Sequence, residues 1–285
     1  MSKLKMAIQK SGRLNEDSLK LLKSCGISID NGKDQLKITV ANFPIELLYL
    51  RNSDIPQYIE DGVVDVGIVG ENLLIEKQKE VEIIQKLGFS KCKVSLAVPK
   101  EVETNDISYF EGKRIATSYP NTLQSYLTKN KVNAEIHTIS GSVEIAPNIG
   151  LADGICDVVS SGSTLFKNGL RETQVLLKSE AVLVKSLNLS KEKEQILSKL
   201  LFRMQAVLRA KNTKYILMNV PESKAEAVAK ILPVLKSPTI LPLAEKGWCS
   251  MHSVIEESKF WDVIDELKEA GAEDILVVPI DKMVL

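Results

Sequence analysis

Two stretches of this chain can be written one above the other without a gap. IEDGVVDVGIVGENLL, residues 59–74, aligns with LADGICDVVSSGSTLF, residues 151–166. Asp61 falls on Asp153, Gly62 on Gly154, Asp65 on Asp157 and Gly70 on Gly162. Each copy reads as a helix end, an Asp-Gly turn, a buried strand, a glycine loop and a new helix. A repeat of this kind restricts the fold, because both copies must build the same supersecondary unit. Features shared by the copies are expected to be scaffold. Features that differ, GIVGEN against SSGSTL, are expected to carry function. Asp157 stands open between a structural role and contact with a ligand.

Strands alternate with helices around both copies, which predicts an α/β protein. LKMAIQ reads as a strand. SGRLNEDSLKLLKSCG reads as a loop and then a helix closed by Gly26. VVDVGIVG has the near-continuous apolar character of a buried parallel strand. Two similar units at this separation predict two α/β lobes facing each other across a cleft, an arrangement that resembles the type II periplasmic-binding-protein-like fold. KEKEQILSKLLFRMQAVLRAK is a long amphipathic helix. The order βαββαβ follows it, with Phe260, Val263, Ile264 and Leu267 on one helical face, and predicts a ferredoxin-like unit. The expected organisation is residues 1–90 with 180–211 as lobe I, 91–179 as lobe II, and 212–285 as a third domain.

Composition excludes several functions. Lys plus Arg equals Asp plus Glu at 37 each, so the basic face that nucleic-acid binding needs is not expected. Cys25, Cys92, Cys156 and Cys249 are scattered and there are two histidines, His137 and His252, so a zinc site is disfavoured. Scattered thiols, no signal-peptide pattern and no membrane-length apolar run lead to the expectation of a cytoplasmic protein.

Any anion site must therefore be local. Ser160, Ser161, Gly162, Ser163 and Thr164 lie between a buried strand and a helix start. A helix N-terminus presents unpaired N–H groups and the positive end of its dipole. Gly162 lets the backbone approach a ligand, and the hydroxyls add donors, which together form a phosphate cradle. Helix capping alone is the competing reading, although a cap needs a single Ser or Thr. No Walker A sequence and no G-x-G-x-x-G occurs. A second strand-end loop, QKSGRL, offers Lys10, Ser11, Gly12 and Arg13. Arg51 ends another strand, where a solvated charge is the alternative. Ser118, Tyr119 and Ser142 are further cleft candidates. Glu144 is a carboxylate beside the expected phosphate site, repulsive unless a metal or ribose hydroxyls intervene; otherwise it is an acid favoured by a helix start.

AIQKSGRL, DGVVDVGIVGENLL, GKRIATSYP, GSVEIAP, GLADGICDVVSSGSTLFKNGLRE, PTILPLA and ILVVPIDKM together resemble the long-form ATP phosphoribosyltransferases, the first enzymes of histidine biosynthesis, nearly end to end. DGICDVVSSGSTL resembles that family's phosphoribosyl-pyrophosphate motif. Ser163 stands where alanine also occurs in the family, and AEKGWCSMHSV is a divergent loop.

The resemblance implies a pentosyltransferase that joins adenine N1 of ATP to C1′ of phosphoribosyl pyrophosphate and releases pyrophosphate. It implies Ser160 to Thr164 on the 5-phosphate, Asp153 and Asp157 near the ribose hydroxyls, and Lys10, Arg13 and Arg51 facing the pyrophosphate. Glu144 is the one acid–base candidate. Mg²⁺ is implied as a cofactor bound mainly through substrate phosphates. The C-terminal unit resembles an ACT-like regulatory domain, which implies histidine inhibition with Leu235, Ser237 and Thr239 at the effector site, and a homo-oligomer from dimer to hexamer. The rival readings are a non-catalytic two-lobed ligand-binding or sensing protein, and a phosphoribosyltransferase that acts on another base.

Overall fold

Apolar strands alternate with helices from the first described residue onward. In the computed structural model the described residues are 2–29, 35–232 and 237–284. The chain divides into two compact units, Met1–Lys23 with Ile27–Leu197 and Ser24–Gly26 with Ser198–Leu285.

The first unit begins with β1 (Leu4–Gln9), α1 (Arg13–Ser24), β2 (Lys37–Thr39), β3 (Ile45–Leu50), α2 (Ile55–Glu60), β4 (Val66–Gly70), α3 (Glu71–Lys77) and β5 (Glu82–Lys86). It continues with β6 (Cys92–Pro99), β7 (Arg114–Thr117), α4 (Pro120–Asn130), β8 (Glu135–Thr138), β9 (Gly154–Val159), α5 (Ser163–Lys167), β10 (Leu170–Ser179) and β11 (Ala181–Lys185). α6 (Lys191–Lys211) then begins, and the unit boundary falls inside it.

These strands form two sheets. One has the order β2-β3-β1-β4-β11-β5, the other β10-β6-β9-β7-β8. The chain passes between them twice, from β5 to β6 and from β10 back to β11. At the centre of each sheet the pairing is parallel, β1 with β4 and β7 with β9. Central parallel strands are covered on both faces, and their sequences are apolar for that reason. In the second sheet one face packs Ala97, Ala116, Ile155 and Leu165, and the other packs Leu96, Phe110, Ile115 and Leu123. The two-lobed architecture expected from the repeat is present, and it is type II periplasmic-binding-protein-like.

The register of the repeat differs from the gapless alignment. Asp65 immediately precedes β4, and its carboxylate accepts from Lys5 N at 2.8 Å while its own N–H donates to Lys5 O at 3.0 Å. Asp153 immediately precedes β9, and its carboxylate accepts from Arg114 N at 2.9 Å while its N–H donates to Arg114 O at 2.9 Å. The strand pairing agrees, with Met6 opposite Val66 and Ile115 opposite Gly154. Asp65 therefore corresponds to Asp153, not to Asp157. At the helix starts the gapless alignment is right again, because Glu71 and Ser163 each open their helix, while Gly70 still belongs to β4 and by strand register falls on Val158. Residues 159–162 are thus extra in the second lobe. An alignment without gaps hides that insertion, and the insertion contains most of the hydroxyl loop.

The two Asp-Gly pairs also differ. Gly62 has φ +70° and sits in the turn expected of it. Gly154 is the first residue of β9, where a Cβ would lie 2.6 Å from the Phe110 ring and 2.9 Å from Ala97 O. Close packing, not turn geometry, requires glycine there. The segment before it, SGSVEIAPNIG, holds a single short 3-10 turn at Val143–Ile145 where a helix was expected. Pro147 and Gly150 (φ +76°) follow too closely for a longer helix.

The second unit contains β12 (Thr213–Pro221), α7 (Ala225–Ile231), β13 (Thr239–Pro242), β14 (Trp248–Glu256), α8 (Glu257–Glu269) and β15 (Glu273–Pro279). The sheet order β13-β14-β12-β15 is antiparallel throughout, and it is the ferredoxin-like arrangement. Ile216, Met218, Val228, Met251, Ile255 and Leu267 form its core. Phe260 and Val263 pack against that core, as the helical pattern of α8 requires.

Candidate functional site

β9 ends at Val159 and α5 starts at Ser163, so Ser160, Ser161 and Gly162 form the link at the carboxyl end of a central parallel strand. Such strand ends are where open α/β sheets bind ligands. Gly162 has φ +76°, and nothing lies within 4 Å of the position a Cβ would take. Backbone conformation therefore selects glycine, and the space beside it is open. Ser161 and Ser163 hydroxyls are 3.0 Å apart. A cavity of about 140 Å³ is lined by Glu144, Asp157, Ser160, Ser161, Gly162 and Thr164.

Asp157 is half-buried in this wall. Its carboxylate accepts from Ser118 Oγ at 3.0 Å and from Val158 N at 2.8 Å. Burial raises its pKa above the ordinary carboxylate value, the two hydrogen bonds oppose that, and the Glu144 charge raises it further. Two carboxylates facing one cavity repel each other, and a cation or ribose hydroxyls would relieve both. The structure thus brings together Ser118, Glu144, Asp157 and Ser160 to Thr164. Ser142, at φ +51°, precedes the turn that carries Glu144.

Tyr119 joins this group from the start of α4. Burial pushes its phenol up, and the Asp157 charge adds to the shift, so the hydroxyl keeps its proton. Asn72 Nδ2 donates to that hydroxyl at 2.8 Å. Asn72 is itself fixed by Ser179: its N–H donates to Ser179 Oγ at 2.9 Å, and Ser179 Oγ donates to Asn72 Oδ1 at 2.9 Å. Sequence reasoning missed Asn72 as a positioning residue. The contrast of GEN with GST between the repeats was the available signal.

The cationic loop follows β1. Lys10 N donates to Leu50 O at 2.8 Å, which sets the loop beside the strand exit where Arg51 lies. Gly12 (φ +86°) turns the chain into α1. Lys10, Arg13 and Arg51 are exposed. Arg13 Nε is 3.9 Å from Asp17 Oδ2, a loose pair on the surface. Ser90, between the sheets, donates to the same Asp17 at 2.9 Å. The Cys92 thiol is pushed up by burial, and the Arg13 guanidinium acts on it in the lowering direction. Cys92 and Ser160 line a second cavity of about 390 Å³. The Arg13 charge therefore acts on a thiol in the wall of a cavity that the hydroxyl loop also borders.

Asp153 is not brought to this group. It lies at the opposite end of β9, where its carboxylate holds Arg114 N and faces Arg114 Nε at 3.6 Å. The effector candidates lie in the second unit. Leu235 is outside the described residues, Ser237 is exposed, and Thr239 pairs with His252 across β13 and β14. Among the described residues no helix is long and apolar enough to cross a membrane, and the four cysteines are free.

Comparison with known proteins adds independent findings. The sequence model of the family HisG, ATP phosphoribosyltransferase, matches residues 51–206, and that of the HisG C-terminal domain matches residues 210–282. An ATP phosphoribosyltransferase from Cytophaga hutchinsonii is 57% identical over 281 residues, covering 99% of this chain and 98% of the relative. One from Bacteroides thetaiotaomicron is 54% identical over 282 residues, covering 99% of this chain and all of the relative. Among solved structures, a chain of the ATP phosphoribosyl transferase (HisG:HisZ) complex from Thermotoga maritima superposes with a TM-score of 0.60 at 29% identity, over 71% of this chain and 98% of that one.

Proposed function

Because the chain belongs to the ATP phosphoribosyltransferase family, we propose that its cleft joins adenine N1 of ATP to C1′ of phosphoribosyl pyrophosphate, with the loop at residues 160–164 holding the 5-phosphate. The observation that carries this reading is the insertion at 159–162. It is extra relative to the sister lobe, and it lines a cavity closed by two carboxylates. A helix cap would have needed no added residues.

The residues take distinct parts. Backbone N–H groups and hydroxyls from Ser160 to Thr164 bind the terminal phosphate. Asp157 and Glu144 accept from the ribose hydroxyls. Ser118 and Val158 N hold Asp157 in place, and Asn72 fixes Tyr119 beside it. Lys10, Arg13 and Arg51 receive the departing diphosphate, where negative charge grows as the C1′–O bond breaks and the N1–C1′ bond forms. Adenine N1 is the nucleophile, so the protein orients and stabilises. Asp153 serves the scaffold through Arg114.

Mg²⁺ fits this site. Asp157 and Glu144 open onto one cavity. Mg²⁺ needs no protein cage, because it keeps waters and takes one or two carboxylates together with phosphate oxygens. Bound there, it would neutralise charge on the diphosphate.

Residues 1–90 with 180–211 and residues 91–179 form the two catalytic lobes in this reading, and residues 212–285 form the regulatory domain. The ferredoxin-like order and the C-terminal family match support the last assignment. Histidine acts there, near Ser237 and Thr239, by favouring one conformation or assembly of a homo-oligomer. The free thiols suit a cytoplasmic setting.

Turnover with ATP, phosphoribosyl pyrophosphate and Mg²⁺, followed by the absorbance of an N1-ribosylated adenine, tests the reaction. Gly162→Val tests the cradle: a β-branched residue at φ +76° is strained and fills the open space. The KM for the phosphoribosyl donor should rise more than that for ATP. An unchanged donor KM would remove the 5-phosphate from this loop.

A further inference from the structure

The run of chain through α1 belongs to both compact units. Residues 13–23 fall in the first unit, and Ser24–Gly26 fall in the second. One end of α1 therefore opens at the cationic loop, and the other ends among residues of the second unit.

That second end is closed by a cap and a cation. Gly26 has φ +75°, and Ile27 N donates back to Leu22 O at 3.1 Å. A left-handed glycine of this kind satisfies carbonyls that a helix leaves unpaired. The Cys25 carbonyl is satisfied differently, because it accepts from Arg203 Nη1 of α6 at 3.3 Å. Cys25 is buried and Arg203 half-buried. The charges of Arg203 and Lys282 both act on the Cys25 thiol. Met283 N donates to Ala206 O at 2.9 Å, which holds the segment after β15 against α6. Positive charge thus gathers at the negative end of the α1 dipole.

The first turns of α1 are tied as well. Asn15 Nδ2 donates to Gln9 O at 2.6 Å, and Asp17 accepts from Ser90 Oγ at 2.9 Å. Ser90 lies between β5 and β6 with φ +48°, in the left-handed region that serine seldom adopts. Twelve residues make α1 a rod about 18 Å long. A grip on the far end of that rod fixes the angle at which its first residue, Arg13, meets the cleft.

We propose that Arg203 is a positioning residue for the transfer reaction: by holding the turn that ends α1, it sets the placement of Arg13 at the other end. The proposal rests on the reading given above, in which Arg13 receives the departing diphosphate. Charge on that group grows in the transition state, so a displaced Arg13 registers in kcat. A shift of about 1 Å that arises far from the chemistry costs up to about a hundredfold. Arg203 lies in the unit that contains the C-terminal domain, so the grip on α1 comes from that unit.

A double-mutant cycle in the full chain tests this. Arg13→Ala, Arg203→Ala and the double variant are assayed in steady state with ATP, phosphoribosyl pyrophosphate and Mg²⁺. Arg203→Lys enters the same cycle, because it keeps a cation at the helix end if alanine prevents folding at this half-buried position. Arg203→Ala should lower kcat about tenfold with the KM for ATP within about twofold. Arg203→Lys should lose about threefold, since an ammonium keeps the charge without the guanidinium fork. In the Arg13→Ala background neither change should lower kcat further, because the group they position is gone. Residues this far apart ordinarily have independent effects, so loss of the effect marks the route through α1. Losses that multiply in the double variants, or a parental kcat in both Arg203 variants, would overturn the proposal. A lowered melting temperature accompanying either result would make Arg203 a structural cap only. Arg13→Ala with parental kcat and donor KM would instead remove Arg13 from the diphosphate, and the reading beneath would fail with it.

Discussion

Glu76, at the end of α3 in one lobe, caps the first turn of α4 in the other through Thr122. Its Oε2 accepts from Thr122 N at 2.9 Å and from Thr122 Oγ1 at 2.8 Å. Oε1 accepts from Asn121 N at 3.0 Å, and Asn121 Nδ2 returns a bond to Glu76 O at 2.9 Å. Glu76 is 4% exposed. A buried anion at a helix N-terminus satisfies donors that the helix cannot. The same turn carries Tyr119, so the latch between lobes also positions a wall of the candidate site. Glu76→Ala should cost about 2–4 kcal/mol in denaturant unfolding, because two backbone donors and a hydroxyl lose their acceptor. Stability within 0.5 kcal/mol of the parent protein would show that water replaces the carboxylate at about no net cost.

Asp157 is expected to lower stability at neutral pH. Its folded-state pKa is raised, first by burial and then by Glu144. Between the ordinary carboxylate value and the raised one, the folded state binds the extra proton. Stability therefore falls as pH rises through that window. Asp157→Asn should raise the melting temperature at pH 7, and the gain should vanish below the ordinary carboxylate range. The same variant should raise the donor KM. A melting temperature that drops at pH 7 would contradict the assignment.

Asp153 and Asp65 are matched clamps, so their loss should register in stability and not in substrate binding. Asp153→Ala should cost about 1–2 kcal/mol, the loss of the acceptor for Arg114 N. The donor KM should stay within twofold. A large rise in donor KM with stability unchanged would return Asp153 to the substrate.

The two glycines of the repeat should respond differently to alanine. Gly154→Ala places a methyl 2.6 Å from the Phe110 ring in the core and should cost about 3 kcal/mol or more. Gly62→Ala meets no atom within 4 Å and should cost about 1 kcal/mol from its positive φ alone. Equal losses in thermal unfolding would mean that Phe110 can move aside.

Cys92 should be the first thiol labelled by a maleimide, because it is half-buried while the other three are buried. Burial pushes Cys25 up to about 11 and raises Cys156 as well, so both stay protonated and slow at pH 8. Labelling at Cys92 should quicken with pH as the thiolate fraction rises. Mass spectrometry that finds Cys156 modified first would mean that the lobe opens far more than the structure shows.

Much of the architecture could be read from residue order. The apolar run LKMAIQ, the helix patterns of α6 and α8, and the βαββαβ order of the second unit follow from periodicity and turn residues, which act over a few positions of chain. The hydroxyl loop was legible because its composition exceeds what a cap needs. What chain order left hidden was pairing. The gapless repeat put Asp65 on Asp157, since a similar pattern of residues recurs there. Hydrogen bonds to Lys5 and Arg114, more than thirty residues away in sequence, show that Asp153 is its counterpart and that 159–162 are inserted. Asn72 and Glu76 were invisible for the same reason. A side chain's part in a site depends on which distant backbone lies opposite it. The sequence by itself determined the elements and their chemistry; tertiary contact between strands far apart in the chain decided which aspartate is scaffold and which faces the cavity.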